Sequence, residues 1–218
     1  MQAEDVLARL RAMGDPAAVR GRARFGLPEE GALGVSLPRL RRLAREIGRD
    51  TRLANDLWKS GVHEARLLAT IVADPADATR AQVERWLRDV ASWDLCDGLA
   101  LNLVDKTPWA YEAAAAWARR EEEWVKRAGL ATIAGLAWHD RSATDTKLRP
   151  LLALAEDAAY DERNHVKKAA SWALRQAAKR RPALAKDALA AARRLAASES
   201  RAARWVASDV RRDIERRA

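Results

Sequence analysis

Cysteine is nearly absent from the 218 residues. Cys96 stands alone, which excludes an intramolecular disulfide framework and fits a reducing, cytoplasmic setting. The three histidines, His63, His139 and His165, are scattered, so neither a His/Cys metal site nor any other metal or cofactor is expected. No apolar run approaches membrane-spanning length, and the opening MQAEDVLARLRAMGD has the alternation of an amphipathic helix without the apolar stretch of a signal peptide. A Walker loop, a GxGxxG turn and a serine or cysteine triad are all missing. HEARLL lacks the second histidine of a zinc protease motif, leaving His63 and Glu64 as residues of a helix start. Phenylalanine and tyrosine are also scarce, one and two residues, against nine tryptophans.

What is abundant is alanine, leucine and arginine. The formal charge of +9 and a pI near 10.3 point to a polyanionic partner. Apolar positions recur with the helical period from end to end, so the chain reads as all-α. Breaks at GDP (14–16), GVSLP (34–38), Gly61, DP (74–75), KTP (106–108), RP (149–150), RRP (180–182) and SES (198–200) imply about a dozen helices joined by short turns. HEARLLATIVA, CDGLALNLVDK, VKRAGLATIAGLAW, VKKAASWALRQAAK and AARWVASDVRRDI resemble one another and start about 30 to 40 residues apart, the period of two-helix repeats. The expected architecture is a curved solenoid of paired antiparallel helices, one domain over residues 1–218, whose concave face suits a rod-like partner such as duplex DNA.

Three of these segments carry candidate chemistry. On a wheel for WDLCDGLALNLVDK, the residues Leu95, Cys96, Leu99, Ala100, Leu103 and Val104 form the apolar arc, and Asp94, Asn102 and Asp105 fall together on a polar one. Asp97 lies apart from the other acids, at the edge of the apolar stripe and one turn from Trp93. It is either a structural acid or a carboxylate held in a partly dry aromatic setting. In RNHVKKAASWALRQAAKR, Trp172 falls outside the buried arc among His165, Lys168, Arg175 and Lys179, a surface suited to stacking on a sugar or base. In EEWVKRAGLATIAGLAW the apolar residues run nearly all round. Arg127 aligns there with Ala131, Ala134 and Trp138, either paired with an acid such as Asp97 or aimed at a phosphate. The arginine-rich stretch from Arg193 to Arg217 is a source of nonspecific phosphate affinity or simply a solvated basic face.

LWKSGVHEARLLA, SWDLCD, EEEWVKRAGLA and NHVKKAASWALRQAAKR, in this order and spacing, resemble the AlkD-type DNA alkylation repair proteins, glycosylases built of HEAT-like helical repeats, from about residue 30 to the C-terminus. The resemblance implies that Trp93, Asp97, Arg127 and Trp172 form an active cleft, with Lys126, Lys168, Arg175 and Lys179 on the DNA backbone. It further implies a monomer that hydrolyses the N-glycosidic bond of cationic N3- or N7-alkylpurines in double-stranded DNA, working at the nucleoid. The alternative is a noncatalytic protein that recognises distorted or branched DNA through the same basic surface. One departure is that Ser92 stands where members with established activity tend to have a second tryptophan before the acid.

Overall fold

The computed structural model describes residues 1–217, and these build thirteen α-helices and three short 3-10 turns, with no strand among the described residues. Two compact units are seen, Met1–Leu103 and Val104–Ala218. The first holds α1 (Ala3–Ala12), α2 (Pro16–Arg20), α3 (Leu37–Ile47), α4 (Thr51–Lys59), α5 (His63–Val72), α6 (Arg80–Leu87) and α7 (Trp93–Asn102). The second holds α8 (Ala110–Trp117), α9 (Glu123–His139), α10 (Asp145–Asp157), α11 (Asn164–Arg180), α12 (Pro182–Ala196) and α13 (Arg201–Glu215).

In the first unit α3, α5 and α7 pack in a row, and α4 lies against α5. Trp58 of α4 and Trp86 of α6 stack with centroids 4.4 Å apart and planes 3° from parallel. Hydrogen bonds between successive repeats recur at a sequence separation of 31: Leu33 to Glu64, Trp58 to Asp89 and His63 to Asp94. In the second unit α9, α11 and α13 form the row, backed by a layer of α8, α10 and α12. Here the separation is 38: Arg127 to His165, Arg149 to Asp187, Ser171 to Asp209 and Arg194 to Glu156. The repeat that the sequence shows faintly is thus a register of contacts, and its five similar segments lie on α5, α7, α9, α11 and α13. Contacts that keep one constant offset along two helices require those helices to run parallel, as equivalent helices of successive repeats do.

Small side chains set the spacing of the second unit. Residues 127 to 137 of α9 are all buried, six of them alanine or glycine. A Cβ on Gly129 would lie 2.4 Å from the amide nitrogen of Ala118, so the backbones of α8 and α9 approach closer there than any other residue permits.

Two expected boundaries differ from the observed ones. Pro150 lies inside α10 and does not break it. Only one backbone hydrogen bond is lost, on an exposed side where water reaches the free carbonyl, while Leu148, Leu151, Leu152, Leu154 and Ala155 hold the helix against its neighbours. The helix expected to continue through Lys106 ends instead at Asn102. Val104–Lys106 is a 3-10 turn, so Asp105 leaves the arc it was expected to share.

Candidate nucleic-acid interface

The start of α7 is held by a polar cluster buried within the first unit. Ser92, the N-cap, donates its hydroxyl to Asp94 Oδ1 at 2.7 Å. Asp94 Oδ2 meets His63 Nε2 at 2.8 Å and lies 3.6 Å from Arg22 Nη2. Burial alone would raise the Asp94 pKa, but the hydrogen bonds and charges of His63, Ser92 and Arg22 outweigh it and leave the carboxyl below its ordinary value. Arg22 also approaches Glu64 to 3.9 Å, and Glu64 accepts the amides of Leu33 and Gly34 at 2.7 and 2.8 Å. The loop between α2 and α3 is thereby tied to α5 and α7.

The expected polar arc of α7 is therefore not a solvated face. Asp94 bonds His63, and Asn102 donates to Thr70 Oγ1 at 2.9 Å, so this arc faces α5. Asp105, beyond the helix, is buried in the second unit with His139 and Lys106 on its two oxygens. What the wheel could not supply is the partner: His63 and Thr70 come from the preceding repeat, and Arg22 comes from a segment without helical periodicity.

Trp93 and Asp97 stand one turn apart on α7, both half-buried. The Trp93 indole N–H donates to the Phe25 carbonyl at 3.0 Å, which fixes the ring against the α2–α3 loop. His63 and Glu64 begin α5 as expected and are buried there.

In the second unit Arg127 is only 6% exposed on α9, and its Nη1 donates to the His165 carbonyl on α11 at 2.7 Å. The Trp124 ring lies against the His165 imidazole, centroids 4.8 Å apart. Burial, then the nearby charges of Arg127 and Lys168, lower the His165 pKa against the opposing charge of Glu123, which favours the neutral ring. Trp172 is half-buried in the middle of α11. Of the four lysines and arginines expected on a DNA backbone, Lys168 and Lys179 are exposed and enter no ion pair among the described residues. Arg175 lies 3.2 Å from Asp209 and 3.7 Å from Asp213 of α13. Lys126 lies 3.3 Å from Asp161, whose carboxyl is lowered to about 2 chiefly by Arg163. The structure thus assigns two of the four to solvent and ties the other two to carboxylates.

Two further indoles are exposed, Trp138 at the end of α9 and Trp205 on α13, each with a cation over its ring. Trp138 had a sequence signal in its alignment with Arg127. Trp205 had none beyond its arginine-rich surroundings. Among the described residues no helix is long and apolar enough to cross a membrane, and no group of three His, Cys, Asp or Glu side chains is placed to hold a metal ion.

A family model described as DNA alkylation repair enzyme matches residues 6–209. No curated protein matches the sequence. Among solved structures, one described as a new family of proteins related to the HEAT-like repeat DNA glycosylases with affinity for branched DNA structures is similar over 97% of this chain and 95% of its own, with a TM-score of 0.81 at 20% identity. At that identity the likeness establishes a shared HEAT-like repeat helical fold.

Proposed function

The chain belongs to the DNA alkylation repair enzyme family, and from that premise we propose that it is a DNA glycosylase acting on cationic N3- and N7-alkylpurines in duplex DNA. The observation that carries the reading is a half-buried carboxylate, Asp97, one turn from the half-buried indole of Trp93, on a helix whose first turn is locked by Asp94, His63 and Arg22.

An alkylated purine of this kind carries a positive charge that makes it a good leaving group. When the bond from C1′ to the base nitrogen breaks, the electron pair leaves with the base and neutralises it, and the positive charge moves to the deoxyribose. A fixed carboxylate lowers the energy of that state and accepts a proton as water adds to C1′. In this reading Asp97 is that carboxylate. Trp93, beside it on α7, presents its π face to the cationic sugar. In the second unit Trp172 stacks on the DNA strand and Arg127, already oriented by the His165 carbonyl, binds a phosphate. Lys168 and Lys179 add backbone contacts, with Arg175 and Lys126 contributing where their carboxylate partners release them. The protein acts as a monomer on cytoplasmic, nucleoid DNA.

The second reading is noncatalytic recognition of branched DNA, supported by the description of the structural neighbour. Release of free methylated base from alkylated duplex separates the two. Wild-type protein should release it, and Asp97→Asn should lose about two orders of magnitude in rate while still binding. Salt-dependent binding of branched DNA without any base release establishes the second reading instead.

A further inference from the structure

The second unit carries more aromatic surface than the proposed reaction uses. Trp138 is 43% and Trp205 40% exposed, unusual for the largest apolar side chain. The row α9, α11 and α13 is covered on one side by α8, α10 and α12. Side chains outside the buried arcs of the row therefore project to the uncovered side. Trp172 lies outside the arc of Val166, Ala169, Ala170, Ala173, Leu174 and Ala177. Trp205 lies outside that of Ala203, Val206, Ala207 and Val210. Trp138 follows Arg127 by three full turns on one face of α9.

The contacts also fix their heights along the row. The Trp138 ring has the Arg180 guanidinium 5.5 Å from its centroid, and Arg180 is two turns beyond Trp172 on α11. The Trp205 ring has the Lys167 ammonium 5.9 Å from its centroid, and Lys167 is a turn and a half before Trp172. One indole thus lies above Trp172 on one neighbouring helix and the other below it on the opposite neighbour. With a rise of 1.5 Å per residue and axes 8 to 10 Å apart, each is about 12 to 15 Å from Trp172. The three indoles form a diagonal across the row.

The charge along this diagonal suits a polyanion. Lys168, Lys179, Arg180, Arg201 and Arg212 are exposed beside it, while Asp209 and Asp213 are engaged by Arg175. Alternating indoles and cations are the surface on which a nucleic-acid strand is held through its sugars and phosphates without sequence preference.

We propose that Trp138 and Trp205 are the two flanking contacts of one DNA strand whose central nucleotide lies at Trp172, each reached about four base pairs from the centre. The proposal rests on the reading of the protein as one that binds duplex DNA, and it adds an extended footprint with two defined ends. Each indole is open to solvent now and has a cation at hand that would turn from the ring to a phosphate.

The test is binding of a duplex carrying a central tetrahydrofuran abasic site, which needs no base release. Trp138→Ala and Trp205→Ala should each bind about tenfold more weakly. The slope of affinity against salt should stay at the wild-type value, because no charge is lost. Trp138→Phe and Trp205→Phe should recover most of the affinity, and all four should melt with the wild type. Shortening one arm of the duplex to about two base pairs should abolish the difference between wild type and one variant, and shortening the other arm should do the same for the second. Wild-type binding of the duplex with undiminished affinity in both alanine variants overturns the proposal and leaves the functional reading standing. Loss that ignores arm length overturns it as well. Failure of the wild type to bind any duplex removes the functional reading, and this proposal with it.

Discussion

Replacing Asp94 by asparagine tests whether the lock on α7 is electrostatic. The change keeps the size of the side chain and the Oδ1 atom that accepts from Ser92 at 2.7 Å and from the Leu95 amide at 2.9 Å. It removes the negative charge from the atom facing His63 at 2.8 Å and Arg22 at 3.6 Å. Arg22 Nη2 is buried without a hydrogen-bond partner, so without that charge the guanidinium keeps the Pro28 carbonyl, to which Nε donates at 2.8 Å, and a single carboxylate among the described residues, Glu64, which Nη1 meets at 3.9 Å. A charge-assisted hydrogen bond contributes about 1.5 to 3 kcal/mol, and the loss should fall in the upper part of that range, about 2 to 3 kcal/mol with the Arg22 contribution included. For a chain of this length the melting temperature should drop by about 5 to 10 °C. The sign of the pH dependence follows from the Asp94 pKa, which is lowered in the folded protein. Its contribution is complete above the unfolded carboxyl value of about 3.9 and disappears as pH falls through the folded value. Urea unfolding of both proteins followed by circular dichroism at pH 7, and at successive steps downward from about pH 4, should show a gap that narrows progressively in acid. A variant as stable as wild type at pH 7, or a gap that persists unchanged in acid, refutes an electrostatic lock.

Two other outcomes follow from the geometry of the second unit. Gly129→Ala places a methyl group 2.4 Å from the Ala118 nitrogen and 2.8 Å from the Trp117 carbonyl carbon, both backbone, and should cost at least about 3 kcal/mol by thermal melting. A neutral effect would mean that α8 and α9 can separate freely. Arg127→Ala should flatten the salt dependence of duplex binding by about one phosphate contact, whereas Trp172→Ala should weaken binding at an unchanged slope. Equal slopes in both variants would place Arg127 in a purely structural role on the His165 carbonyl.

The helices, the small-residue packing of α9 and the location of Trp93, Asp97, Arg127 and Trp172 on three separate helices are legible in the amino-acid order. Helical periodicity is a property of neighbours within a turn or two, and each of those segments carries it in full. The repeat is legible as well, because a stacked helix pair must present the same small and apolar face to each neighbour. Pro150 shows where local rules stop. A proline signals a break only when nothing else holds the helix, and the leucines that hold α10 do so through partners distant in sequence. Asp94 and Asp105 are a sharper case. Their wheel positions resemble those of solvent-facing acids, yet one is bound by His63 and Arg22 and the other is buried with His139 and Lys106. A carboxylate is written the same way in the sequence whether water or a cation satisfies it. Charge, periodicity and repeat length were therefore determined locally. Which acids are structural, which cations remain free for a phosphate and which indoles face outward were decided only when contacts 31 and 38 residues apart closed, because only then did each polar group acquire a partner or keep its water.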